Sequence, residues 1–214
     1  MPAISSRFYT FFLVLLIQSA TPAVADNTLP EADADTLTRL GYRIYGNECA
    51  WQSDCLTAWN PGETFPSLGI GHFIWFRADQ HEPFEETFPR LLAYLQQHGV
   101  ALPDWLAAAG SAESPWTSRE QFYADFSDGR LGGLRQLLAA TQALQTGFIV
   151  ERFFDTVPQL LAAAPAPQRP ALRRRIQTLA DHESPYGLYA LVDYVHFKGT
   201  GLNPGERYQD EGWG

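Results

Sequence analysis

The stretch IYGNECAWQSDC, residues 44–55, joins the end of a predicted helix to the only two cysteines of the chain. Apolar residues upstream recur at spacings of three and four, the helical period; they are Leu37, Leu40 and Ile44. We therefore predict a helix over residues 31–47, and Gly46 and Asn47 are typical of its end. Glu48 then lies at the helix C-terminus, where the helix dipole disfavours an acid. A carboxylate placed against the dipole suggests a chemical role.

The N-terminus is typical of an exported protein. One basic residue, Arg7, precedes an apolar run over residues 8–17, and Ala23-Val24-Ala25 fits a signal-peptide cleavage site. The alternative is an uncleaved membrane anchor. The run is roughly half as long as a membrane-spanning helix, which disfavours this alternative. We predict a signal peptide over residues 1–25, a single domain over residues 26–214, and a periplasmic or secreted location.

The charge of the chain narrows the class of partner. It carries 24 acidic and 15 basic residues, a formal charge of −9, and losing residues 1–25 would bring this to −10. A nucleic-acid-binding protein needs a basic footprint, which this composition lacks. We expect no nucleic acid partner, no membrane contact after signal cleavage, no cofactor and a monomer.

The two cysteines, Cys49 and Cys55, are six residues apart. In an exported chain they most simply form a disulfide, for which the loop-entropy model gives about 2 kcal/mol. Free thiols are one alternative. A zinc site is another, which the absence of a nearby histidine in the sequence disfavours. We predict a disulfide that clamps the segment after Glu48.

The stretch SLGIGHFIWF, residues 67–76, is rich in aromatic and β-branched residues and has two interior glycines, which predicts two short strands or a bent hairpin. A short helix is expected from Ser53 to Ala58. A capping box, formed by Ser118 with Gln121 or by Thr117 with Glu120, predicts another helix start. Further helices are predicted over residues 83–97, 130–144, 147–163, 168–181 and 186–197. The expected fold class is α+β, a mainly helical domain with a small β-hairpin after the first helix.

A glutamate that ends the first helix, followed by Ser67-Leu68-Gly69-Ile70-Gly71-His72, resembles the phage-type lysozymes. In that family a glutamate general acid ends the first helix and a Thr-Ile-Gly-Tyr/Ile-Gly-His strand forms the floor of the cleft. The resemblance is clear over residues 35–76 and loose over 186–201. Here the interval from Glu48 to Ser67 is 19 residues, longer than in the family, and no aspartate aligns with the second acid. Glu63 is the nearest acid, with Asp54 further back.

The resemblance implies a lysozyme-like fold, peptidoglycan as the substrate and Glu48 as the general acid. Glycoside cleavage needs an acid that is protonated near neutral pH and a second group that stabilises the oxocarbenium-like centre. Apolar surroundings raise the pKa of a carboxyl, whereas Glu63 in a turn is expected to be solvated and ionised. We therefore predict Glu48 and Glu63 as catalytic residues of a hydrolase or a lytic transglycosylase.

Each candidate substrate-binding residue is small, carries a hydrogen-bonding group or has an aromatic ring. The candidates are Ser67, Gly69, Gly71, His72, Trp51, Trp59 and Lys198. The glycines allow close approach of a sugar or mark a bulge, and His72 either orients the β element or touches the ligand. Tryptophans stack on sugar faces or fill a core, with Trp75 also expected near the cleft. Lys198 is the only lysine in the chain.

Two alternatives to a peptidoglycan-cleaving enzyme stay open. One is a non-catalytic exported glycan-binding or envelope protein, which predicts an exposed Glu48 with no second carboxyl nearby. The other is a chitosanase-like hydrolase, since an acidic cleft suits a cationic glucosamine polymer.

Overall fold

The computed structural model describes residues 32–82, 85–108, 113–127, 129–202, 207–208 and 211–212. The predicted signal peptide and the predicted helix start at residue 83 lie outside these residues. Among the described residues, no helix combines the length and the apolar character that a bilayer crossing requires.

The first helix, α1 (Ala34–Cys49), begins at Asp33, whose side chain accepts a hydrogen bond from the backbone N–H of Thr36 at 2.7 Å. Its end differs from the prediction. The helix continues through Gly46 and Glu48 to Cys49, and Ala50 closes it in the left-handed conformation with φ 46°. A Cβ at Gly46 would lie 2.5 Å from the ring of Trp51. Gly46 therefore makes room for that ring and does not stop the helix.

A small antiparallel sheet follows α1, with the strand order β1 (Thr57–Ala58), β2 (Ser67–Leu68) and β3 (Phe73–Ile74). Ser67 pairs with Ile74 across β2 and β3, so the prediction of two short strands within residues 67–76 is confirmed. The expected helix at 53–58 is shorter: a 3-10 helix covers Ser53–Leu56, and the next two residues form β1.

The described part of the chain is otherwise mainly helical, as predicted. The helices are α2 (Phe88–Gln97), α3 (Asp104–Ala108), α4 (Arg119–Ala124), α5 (Gly129–Ala140), α6 (Gln142–Ala163), α7 (Arg169–Ala180) and α8 (Tyr186–Lys198). Ser118 caps α4 by accepting the N–H of Gln121 at 3.2 Å, which confirms the predicted start. Thr141 separates α5 from α6, earlier than the sequence suggested. A second hairpin pairs β4 (Arg207–Tyr208) with β5 (Glu211–Gly212).

The long helix α6 organises the core, because α1, α2, α7 and α8 all pack against it. It also holds the sheet. Gln145 of α6 is fully buried, and its side-chain oxygen accepts the N–H of Ile70 at 2.9 Å. Its amide nitrogen donates to the carbonyl of Leu138 at 2.6 Å. A buried amide with all these partners fixes the turn between β2 and β3 relative to the helices.

Candidate functional site

Glu48 lies in the last turn of α1 with 24% of its side chain exposed. Burial raises the pKa of its carboxyl above the ordinary value, and the negative charge of Asp193 raises it further. Both causes favour the protonated acid. This is the direction of shift that a general acid requires.

His72 lies beside Glu48, in the turn between β2 and β3, with a left-handed backbone at φ 47°. Its Nδ1 atom is 3.7 Å from Oε2 of Glu48. Burial lowers the pKa of the imidazole, and the charge of Glu63 acts in the opposite direction with a smaller effect. The neutral ring is therefore favoured, in contact with the acid and close to a second carboxylate.

The two cysteine sulfur atoms lie 2.11 Å apart, at the distance of a disulfide bond. The Nε2 atom of His72 is 3.4 Å from the sulfur of Cys55 and 4.0 Å from that of Cys49. A histidine is thus close to the pair in space, contrary to the inference from the sequence. Because each sulfur is bonded to the other, the cluster presents only the imidazole as a metal ligand in this state.

Glu63 lies beside the sheet and is partly buried, whereas the sequence suggested a solvated turn acid. Its Oε2 atom accepts hydrogen bonds from Nδ2 of Asn60 at 3.1 Å and from the hydroxyl of Ser67 at 3.4 Å. Its backbone carbonyl accepts the indole N–H of Trp59 at 2.9 Å. These contacts direct the carboxylate towards the β2 strand, where its charge acts on His72.

The two glycines of the turn face the protein interior. A Cβ at Gly69, which has φ +70°, would lie 2.4 Å from Oε1 of Gln145. A Cβ at Gly71 would lie 2.7 Å from the ring of Phe73 and 2.8 Å from Nε2 of His196. The space that a side chain would take at each glycine is filled by side chains of β3, α6 and α8, which favours a packing role for both glycines. That they let a sugar approach stays a prediction. Ser67 is likewise buried and interacts with Glu63.

Of the three tryptophans that were expected near a cleft, two are buried in the structure. Trp59 is only 3% exposed and packs edge-on against Phe122, so it cannot offer its face to a sugar. Trp75 is completely buried. Trp51 is 52% exposed; it stacks near Tyr42 and donates its indole N–H to the carbonyl of Tyr42 at 3.2 Å. Of the three, only Trp51 presents a ring to solvent.

The end of α8 is joined to the same turn. Nε2 of His196 donates to the carbonyl of Gly71 at 2.6 Å, while Nδ1 accepts from the guanidinium of Arg152 at 3.1 Å. Arg152 also pairs with Glu85 at 2.6 Å. Burial lowers the pKa of His196 to about 4, so the ring is neutral. Lys198, the exposed last residue of α8, follows two positions later.

Three residues of the site were not identified from the sequence: Asn47, Tyr189 and Asp193. Nδ2 of Asn47 donates to the hydroxyl of Tyr189 at 2.5 Å, which joins α1 to α8. Asp193 lies one turn beyond Tyr189 and is the only acid of α8. A single acid within a largely apolar helix was the signal that could have identified it.

Comparison of the chain with protein-family models, with curated proteins and with solved structures found no match. The site is therefore interpreted from its own geometry. It combines a carboxyl whose pKa is raised, an imidazole beside it whose pKa is lowered, and two further acids: the charge of Asp193 acts on Glu48 and that of Glu63 acts on His72. Acids held in different environments are the arrangement used for general acid catalysis.

Proposed function

We propose that this chain is an exported enzyme, acting in the periplasm or outside the cell, that cleaves the β-1,4 linkages of peptidoglycan with Glu48 as the general acid. The observation that carries the proposal is the partly buried Glu48 at the end of α1, with a raised pKa. The order of first helix, acid and small sheet, which resembles the phage-type lysozymes in sequence, supports the same class of chemistry.

In the proposed reaction, Glu48 transfers its proton to the glycosidic oxygen as the bond between this oxygen and the anomeric carbon breaks. Positive charge then develops on the sugar ring, and a carboxylate stabilises it or activates a water. Glu63 is the candidate for that role, because its contacts with Asn60 and Ser67 orient its side chain. If the C6 hydroxyl of the sugar attacks the anomeric carbon in place of water, it passes its proton to the Glu48 carboxylate left by the first step, which gives the 1,6-anhydro product of a lytic transglycosylase.

The non-catalytic alternative, a glycan-binding protein, predicts an exposed Glu48 without neighbouring carboxyls. The partial burial of Glu48 and the effect of the charge of Asp193 on it support the enzyme instead. The burial of Trp59 also leaves fewer aromatic faces for simple binding. The acidic net charge keeps a cationic glucosamine polymer as a second substrate to assay.

The test is release of soluble fragments from purified peptidoglycan by the wild type and by Glu48→Gln, with Glu151→Gln as a control. Glu151 is exposed on α6, so its variant makes the same chemical change on the surface. We expect the rate of fragment release by Glu48→Gln to be at least about 100-fold below that of the wild type, since a general acid usually contributes this much. We expect the control variant to release fragments at the wild-type rate. Equal release by both variants would refute the role of Glu48. Anhydro ends in the products would identify a transglycosylase.

A further inference from the structure

A cluster of two sulfur atoms and an imidazole lies beside Glu48. Sγ of Cys49, Sγ of Cys55 and Nε2 of His72 all lie within 4.8 Å of one another. They come from three separate elements: the end of α1, the 3-10 helix Ser53–Leu56 and the turn between β2 and β3. The fold therefore supplies the histidine that the sequence places far from the cysteines. Thiolate sulfur and imidazole nitrogen are typical zinc ligands in proteins.

The spacing of these atoms fits a tetrahedral metal site. In such a site, sulfur and nitrogen ligands of zinc lie about 3.5 Å apart, and two sulfur ligands about 3.8 Å apart. Nε2 of His72 is 3.4 Å from the sulfur of Cys55 and 4.0 Å from that of Cys49, so the two distances bracket the expected value. The two sulfurs must move apart once the disulfide is open. Rotation about the Cα–Cβ bonds achieves this while the Cα atoms stay 5.3 Å apart.

The second ring nitrogen of His72 faces the kind of partner that a zinc-binding histidine has. Such a histidine generally directs its other N–H at a carboxylate or a carbonyl, which fixes the tautomer and the orientation of the ring. Nδ1 of His72 is 3.7 Å from Oε2 of Glu48. With the proton on Nδ1, the lone pair of Nε2 is directed at the two sulfurs and is available to a metal.

We propose that the dithiol form of this protein binds one Zn²⁺ ion through Cys49, Cys55 and His72, with a water in the fourth position. The inference does not depend on the proposed function, because Glu48 is not one of the ligands. Cysteine enters every chain as a thiol, so the dithiol form precedes the disulfide. After oxidation, a dithiol reductant restores this form by supplying two electrons and two protons and becoming a disulfide itself. Both cysteine thiols lose their protons as they bind the metal.

The ligand set favours zinc over the hard cations. Thiolate and imidazole suit zinc, whereas magnesium and calcium prefer oxygen ligands. Two thiolates and a neutral imidazole balance the charge of Zn²⁺, so the complex carries no net charge. A neutral complex is the least costly one to hold at this position, because Cys49 is only 4% exposed and His72 is partly buried.

The test compares the disulfide and dithiol forms of the wild-type protein. A water-soluble phosphine opens the disulfide, takes oxygen from water to become the phosphine oxide, and is then removed in the absence of air. Each form is titrated with Co²⁺, which absorbs visible light in a tetrahedral thiolate site, and the Co²⁺ is then displaced with Zn²⁺. We expect one tetrahedral Co²⁺ per chain in the dithiol form and none in the disulfide form. A dithiol form that binds no metal, or a disulfide form that binds it equally well, would overturn the inference.

Substitution tests the histidine ligand. His72→Gln should weaken Zn²⁺ binding by at least about 100-fold, since even the loss of an outer-shell partner costs about 10–100-fold. His182→Gln is the matched control, because His182 is an exposed histidine between α7 and α8. We expect this control to bind Zn²⁺ as the wild type does. Equal affinities in the two variants would contradict the role of His72.

Two measurements keep the inference testable if a variant or the reduced protein is unstable. X-ray absorption at the zinc edge of the wild type should show two sulfurs at about 2.3 Å and lighter ligands at about 2.0–2.1 Å. Four sulfurs, the mark of a metal held between two chains, would overturn the assignment. Circular dichroism follows the fold of the dithiol form. If its helix signal is lost, we expect Zn²⁺ to restore it, and a failure to do so would count against the site.

Discussion

Replacing Gly69 by alanine tests whether the turn between β2 and β3 is held by packing or kept open for a ligand. The backbone of Gly69 has φ +70°, and an added Cβ would lie 2.4 Å from Oε1 of Gln145. Left-handed backbone costs a residue with a side chain roughly 1–2 kcal/mol, and overpacking a tight site costs about 1–3 kcal/mol more. The clash also displaces the oxygen that accepts the N–H of Ile70. We expect Gly69→Ala to lower the free energy of unfolding by about 2–5 kcal/mol.

The assay is urea unfolding followed by circular dichroism, with Gly133→Ala as the matched control. Gly133 lies inside α5 with no atom near its added Cβ. The same change there should raise stability by about 0.5–1 kcal/mol, because alanine is the better helix former. A Gly69→Ala protein as stable as the wild type would refute the packing argument and return Gly69 to the candidate ligand-binding residues.

Three further predictions concern stability. Replacing Cys49 and Cys55 together by serine should cost about 2 kcal/mol in urea unfolding, because the closed loop is short; no loss would mean that the disulfide constrains nothing. His196 is neutral in the fold, with a pKa of about 4, and protonates below about 6.5 when unfolded. Stability should therefore fall as the pH drops from 6.5 to 4, by up to about 3 kcal/mol, and His196→Gln should flatten this part of the pH profile. Because the pKa of Glu48 is raised, its ionised form destabilises the fold. Glu48→Gln should hence stabilise the protein more at pH 8 than at pH 4, and the opposite order would contradict the burial argument.

Local sequence patterns predicted the helices and the hairpin, because the formation of these elements depends mainly on residues close together in the sequence. The spacing of Leu37, Leu40 and Ile44 gave α1, and the aromatic, glycine-containing run gave β2 and β3. The end of α1 was not predicted correctly, because Gly46 makes room for the ring of Trp51, which packs back against the helix. That contact depends on the path of the chain after the helix, which local propensity does not contain.

The site was predicted in part for a similar reason. Glu48 was identified by its unfavourable position on the helix, a local property. Asp193 was missed because it reaches the site only through the packing of α8 against α1. Trp59 was predicted to line a cleft, but composition does not distinguish a buried ring from a sugar-binding one. Its side chain is only 3% exposed, so Trp59 belongs to the core. Burial and long-range pairing are tertiary properties, so the structure had to supply them.

The central claim, that Glu48 donates a proton to the leaving oxygen, is tested most directly by comparing two substrates in the wild type and in Glu48→Gln. One is a natural N-acetylglucosamine–N-acetylmuramic acid oligosaccharide, and the other carries a dinitrophenolate leaving group, which departs without protonation. We predict a loss of about 10²–10⁴-fold in kcat/KM on the natural glycan and little loss on the dinitrophenyl glycoside. Equal losses on both substrates, or no loss on the natural one, would contradict the assignment of Glu48 as the general acid.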